Sequence, residues 1–69
     1  MATFSERLHQ LRGDAKLKQE EAAEKIGIPY RSYRRYEAGE SSPTVPVLIQ
    51  IADYFEVSLD YLTGRTDEP

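Results

Sequence analysis

Apolar residues recur along this chain at the three- and four-residue spacing of amphipathic helices, in five blocks set apart by helix-breaking residues. In the first block Phe4, Leu8 and Leu11, with Ala15 behind them, make one stripe. Thr3-Phe4-Ser5-Glu6 has the form of a capping box, a hydroxyl followed three positions later by a carboxylate. The spacing predicts a helix over about residues 4–14, with Gly13 weakening its last turn. A second helix is predicted from Lys18 or Gln19 to Ile26, with Ala22, Ala23 and Ile26 inside. Glu20 and Glu21 suit the positive end of its dipole, and Gly27 suits a left-handed stop. A third block over about residues 29–38 follows so closely that the two helices must cross steeply. Gly39-Glu40-Ser41-Ser42-Pro43 is a polar, helix-breaking loop. Thr44 is placed to cap a fourth helix with Pro46 in its first turn and Leu48, Ile51, Ala52 and Phe55 on its apolar face. A short fifth helix over Val57–Leu62 is capped by Ser58 and closed by Gly64. Residues 1–64 read as one domain and 65–69 as a tail or the start of a linker, with no internal repeat.

The third block carries the chemistry. On a helical wheel with Tyr30 at zero, Arg34 falls at about 40°, Arg31 at about 100° and Arg35 at about 140°. Tyr33 and Tyr36 fall at about 300° and 240°, on the other side. One face presents three guanidiniums and a phenol, while the other presents two rings able to anchor in a core. The guanidinium fork matches phosphate oxygens and the O6/N7 edge of guanine. By itself such a face is also compatible with a merely solvated helix.

Composition and charge narrow the choice. A chain of 69 residues has room for one domain and a small core, and without cysteine no disulfide or thiolate metal site can brace it. The net charge of −3 argues against nucleic acid until its distribution is considered. Residues 1–36 hold eight of the nine basic residues and five acids, whereas residues 37–69 hold Arg65 against seven acids. Over a Debye length of about 10 Å it is local charge that meets a partner. His9, the only histidine, lies off the apolar stripe and reads as a surface residue, so no metal site or cofactor is expected. No signal-like or membrane-length apolar run is present, which points to a cytoplasmic protein without membrane contact. With no cysteine, no phosphate-cradling glycine loop and no acid–base pair, an enzyme is not expected, nor is a small-molecule substrate.

From Gln19 to Pro43 the chain resembles the phage-repressor, or XRE-type (Cro-like), helix-turn-helix DNA-binding domain. Gln19 opens the motif, Ala23 stands at its fifth position and Gly27 at its ninth. Ile28, Tyr33 and Tyr36 fill apolar positions, and Glu37-Ala38-Gly39 with Pro43 closes it. Val57-Ser58-Leu59-Asp60-Tyr61-Leu62-Thr63-Gly64 is similar to the family's last helix, so the likeness covers about residues 4–64. The spacing has physical reasons: Ala23 must be small where the recognition helix crosses it, and Gly27 must take a left-handed conformation.

The resemblance implies an all-α, compact five-helix, lambda-repressor-like domain with the third helix in the major groove and the second across the backbone. It implies that Gln19 reaches a phosphate, that Tyr30, Arg31, Arg34 and Arg35 read base edges, and that Arg12 and Glu37 form a structural ion pair. The function implied is that of a transcriptional regulator, a repressor, bound to double-stranded DNA at a palindromic operator. The partner copy of the homodimer would be met around Pro43–Val47. The chain also departs from the family. Lys18 and Pro29 stand where helix-capping hydroxyls are usual, Ala22 and Tyr33 exchange small for large, and the loop after the third helix is acidic rather than basic. That loop keeps a second function open: a helix-turn-helix scaffold serving as a protein-interaction module, antitoxin-like or anti-repressor.

Overall fold

The computed structural model describes residues 2–69. Five helices follow in order, α1 (Phe4–Asp14), α2 (Gln19–Ile26), α3 (Tyr30–Glu37), α4 (Val45–Phe55) and α5 (Leu59–Leu62), with no strand among the described residues. None of them is long and apolar enough to cross a membrane. The apolar stripes meet in one cluster: Leu8 of α1, Ala22, Ala23 and Ile26 of α2, Tyr33 of α3, Ile51 and Ala52 of α4, and Leu62 of α5. Burying a leucine or isoleucine side chain fully contributes roughly 1.5–3 kcal/mol, and every helix supplies at least one member to this core. Ala22 and Tyr33 are both wholly buried, as a small-for-large exchange at conserved volume requires. Ala15 does not join the stripe; it is exposed and serves as the backbone cap of α1.

The five helices all stop in the same way. Each is followed by a residue in the left-handed region: Lys16 (φ 58°), Gly27 (93°), Gly39 (75°), Glu56 (56°) and Gly64 (83°). The next N–H then returns to the carbonyl five residues back, Leu17 to Arg12, Ile28 to Ala23, Glu40 to Arg35, Val57 to Ala52 and Arg65 to Asp60, at 2.8–3.2 Å. Such a stop satisfies a carbonyl the helix would leave bare. At three of the five the residue after the left-handed position, Leu17, Ile28 or Val57, packs against the core, which fixes the chain's exit direction.

The helix starts are less uniform. Thr3 and Glu6 form the expected reciprocal box on α1, and Ser58 accepts from the Tyr61 N–H on α5. Thr44 occupies the cap position of α4, but its hydroxyl makes no capping bond. Lys18 supplies no acceptor, yet half of the box survives because the Glu21 carboxylate accepts the Lys18 N–H at 2.9 Å.

Residues 65–69 are not a free tail. The Ser58 N–H donates to the Pro69 carbonyl at 3.0 Å, and Asp67 accepts from Arg7 at 3.1 Å. Arg7 is the one buried charged residue among those described, 4% exposed, with its guanidinium carbon 3.8 Å from the Tyr61 ring centroid. Nothing in the local pattern marks Arg7 as different from its neighbours on α1, so the clamp it makes was missed from sequence.

Candidate nucleic-acid interface

Between Ile26 and Tyr30 lie only Gly27, Ile28 and Pro29, and each has a structural task. Gly27 takes the left-handed turn, Ile28 seals against the core, and Pro29 fixes φ at −62° ahead of α3. A fourth group comes from outside the motif. The Gln50 amide of α4 donates to the Ile26 carbonyl at 2.8 Å and to the Gly27 carbonyl at 3.4 Å. It ties the corner between α2 and α3 to the rest of the bundle. A polar residue on the outer side of α4 gives no sequence signal for this.

The two faces of α3 separate as the wheel predicts. Tyr33 is wholly buried, and Tyr36 lies half-buried with its ring edge-on to Phe4, centroids 6.4 Å apart. Tyr30, Arg31, Arg34 and Arg35 are exposed. Arg34 leans along the helix over the Tyr30 ring at 5.4 Å, a favourable cation–π distance. Among the described residues none of these three arginines has a carboxylate within 4 Å. Their donors point to solvent unspent.

Directly beneath this face Glu37 gathers three helices. Arg12 of α1 meets it with two prongs, Nε to Oε2 at 2.7 Å and Nη2 to Oε1 at 2.9 Å, and also donates Nη1 to the Leu17 carbonyl at 2.8 Å. The side chains are 16% and 4% exposed, so the pair is largely withdrawn from water. Gln19 of α2 donates Nε2 to Glu37 Oε1 at 3.2 Å, leaving one amide N–H and the amide oxygen for anything outside. His9 is exposed as expected, but its Nδ1 lies 2.9 Å from Glu37 Oε1 and 3.1 Å from Arg12 Nη2. One nitrogen cannot donate to the carboxylate and accept from the guanidinium together, so the tautomer selects between them.

Burial alone would raise the Glu37 carboxyl; the hydrogen bonds it accepts, foremost those of Arg12, outweigh it and hold the carboxyl at about 2. The Tyr33 phenol is pushed above its ordinary range by burial and by the nearby Glu37 charge, and its hydroxyl makes no hydrogen bond of its own.

Where α2 begins and α3 ends, a cleft of about 270 Å³ opens to solvent, lined by Gln19, Arg34, Arg35, Glu37, Ala38 and Glu40. Gln19 and two of the arginines thus share one concavity. Tyr30 and Arg31 stand a turn earlier along α3, outside it.

Comparison with known proteins gives this arrangement a context. A helix-turn-helix family profile matches residues 8–62. The chain is 46% identical over 66 residues to the HTH-type transcriptional regulator YobD of Bacillus subtilis (strain 168), covering 96% of this chain and 59% of that one. It is 46% identical over 67 residues to the cryptic phage CTXphi transcriptional repressor RstR of Vibrio cholerae, covering 94% and 60%. A crystal structure of a transcriptional regulator from Listeria innocua superposes with a TM-score of 0.83 at 34% identity, over 97% of this chain and 63% of that one. The chain therefore spans about three fifths of the length of these relatives. With the corner between α2 and α3, the five helices and the buried Arg12–Glu37 pair in place, it belongs to the XRE-type helix-turn-helix family.

Proposed function

We propose that this chain is a sequence-specific DNA-binding transcriptional regulator of the repressor kind, which sets α3 in the major groove of an operator. The observation that carries it is the outward face of α3. Its three arginines are exposed and unpaired on a helix whose opposite face is anchored by Tyr33 and whose end is locked by Arg12 and Glu37. A rigid element presenting free forks suits recognition of base edges, where a bidentate arginine–guanine contact is worth about 1–3 kcal/mol of discrimination. Arg31 and Arg35 are assigned to base edges. Tyr30 and Arg34 stack beside them, with Arg34 able to turn to a phosphate, and Gln19 is assigned to the backbone through its remaining amide N–H.

One such module makes few base contacts, so the operator is taken to be a palindrome bound by two copies with half-sites about 34 Å apart. Residues Pro43–Val47 are proposed as the shared surface, since they follow α3 directly in the chain and Val45 is 63% exposed. The protein is taken to act in the cytoplasm, without cofactor or catalysis.

The test is selection of bound duplexes from a random pool, followed by affinities of Arg31→Ala, Arg35→Ala and Gln19→Ala for the selected site and its single-base variants at fixed salt. Each arginine change is expected to cost roughly 1–3 kcal/mol and to relax preference at one base pair. Gln19→Ala is expected to weaken selected and random DNA alike, because a phosphate contact carries no direct sequence information. Arginine variants that leave affinity and preference untouched would overturn the assignment and favour a protein partner on the same scaffold.

A further inference from the structure

Resting on the DNA-binding reading above, we propose that Glu40 is a specificity-determining residue that keeps a phosphate from settling between Arg34 and Arg35 in the cleft they share with Gln19. Three observations lead to it. Glu40 lines that cleft together with Gln19, Arg34 and Arg35. It is exposed and, among the described residues, has no cation within 4 Å, so its charge is not cancelled locally. It also does not belong to a loose loop. Gly39 at φ 75°, with N–H bonds from Gly39 to the Tyr36 carbonyl (3.2 Å) and from Glu40 to the Arg35 carbonyl (2.9 Å), fixes its backbone to the last turn of α3.

The helix stops show how unusual this placement is. At three of the other four, the equivalent residue is apolar and turned to the core; after α3 it is a carboxylate set beside the arginines. Two binding modes then respond differently to it. On arbitrary DNA, affinity comes from cations on phosphates, and a phosphate drawn between Gln19, Arg34 and Arg35 would meet the Glu40 charge at close range. On the operator, Gln19 keeps its backbone contact but Arg35 extends to a base edge, so less of the affinity depends on a phosphate held between the two guanidiniums beside Glu40. Glu40 therefore penalises the first mode more than the second and raises the ratio between them.

The experiment measures binding of the full chain and of Glu40→Gln to a random-sequence duplex and to the selected site, across a series of salt concentrations. Glu40→Gln is expected to bind the random duplex roughly three- to tenfold more tightly at about 0.1 M salt, with a steeper salt dependence. Affinity for the selected site should rise less, so the ratio between the two falls. Equal gains on both duplexes, or no gain on either with an unchanged thermal midpoint, would overturn the proposal while leaving the DNA-binding reading intact. A wild-type chain that binds no duplex, with Arg31→Ala and Arg35→Ala inert, would instead overturn that reading and this proposal with it.

Discussion

Helix α1 carries two guanidiniums five positions apart that are largely withdrawn from water, and they are held in opposite ways. Arg12 spends Nε, Nη1 and Nη2 on Glu37 and on the Leu17 carbonyl, and its carboxylate partner is itself 4% exposed. Arg7 is hidden further, its side chain 5% exposed against 16% for Arg12, but its partner Asp67 is 92% exposed, its Nε has no acceptor, and its main neighbour is the face of Tyr61. The burial of a cation therefore says little about what its ion pair is worth. The exposure of the carboxylate decides, because an exposed partner gives up little when the pair breaks and a buried one is left stranded. The Arg12 side locks α3 to α1 and α2. The Arg7 side fastens residues 65–69 and α5, and the aromatic face there supports the cation more than the carboxylate does.

That contrast breaks most sharply at Glu37. Glu37→Ala leaves the Arg12 guanidinium largely buried without its carboxylate and is expected to cost about 3 kcal/mol in denaturant unfolding. The double-mutant cycle with Arg12→Ala should show strong coupling; independent effects would mean the pair is no lock. Acid probes the same pair in the wild type. The Glu37 carboxyl lies at about 2 in the folded chain against an ordinary 4.5. Its contribution is therefore complete above about pH 4.5 and is lost as pH falls toward about 2. Thermal midpoints of the wild type should fall through this window more steeply than those of Glu37→Gln, and parallel curves would contradict the assignment.

On the Arg7 side the sensitive point is backbone, not charge. A Cβ on Gly64 would collide with the Ala2 carbonyl at a φ of 83°, so Gly64→Ala is expected to cost about 1–3 kcal/mol, measured by the same unfolding assay. Asp67→Asn should be the smallest effect of all, leaving the thermal midpoint unmoved, because the carboxylate it removes was already in water. A clear loss of stability in Asp67→Asn would erase the distinction between the two arginines.

Much of this architecture was legible before any coordinates. The stripes of Phe4, Leu8 and Leu11 and of Leu48, Ile51, Ala52 and Phe55 placed α1 and α4, and the positions of Tyr33 and Tyr36 on the wheel separated the two faces of α3. Gly27, Gly39 and Gly64 announced three of the five helix stops. The other two were hidden, because Lys16 and Glu56 take the left-handed conformation without being glycine, at a cost of about 1–2 kcal/mol each. Within the candidate interface the exposure of Tyr30, Arg31, Arg34 and Arg35 followed from spacing alone. What did not follow was that the Gln19 amide is held by Glu37, that His9 reaches the same carboxylate, or that Glu40 shares a cleft with two arginines.

The division has a physical basis. Helix periodicity, caps and left-handed stops depend on groups within about one turn of each other, so their energetics are written in adjacent residues. The sequence by itself therefore determined the five helices, the short corner between α2 and α3 and the free arginine face. Only the tertiary structure decided which polar groups meet across the chain. Arg7 and Asp67 are 60 residues apart, Gln50 and Ile26 24, and Arg12 and Glu37 25, a pair anticipated only through family resemblance. Which of these contacts forms, and how much it contributes, turns on side-chain direction and on how far each partner is removed from water, and neither is fixed until the helices have packed.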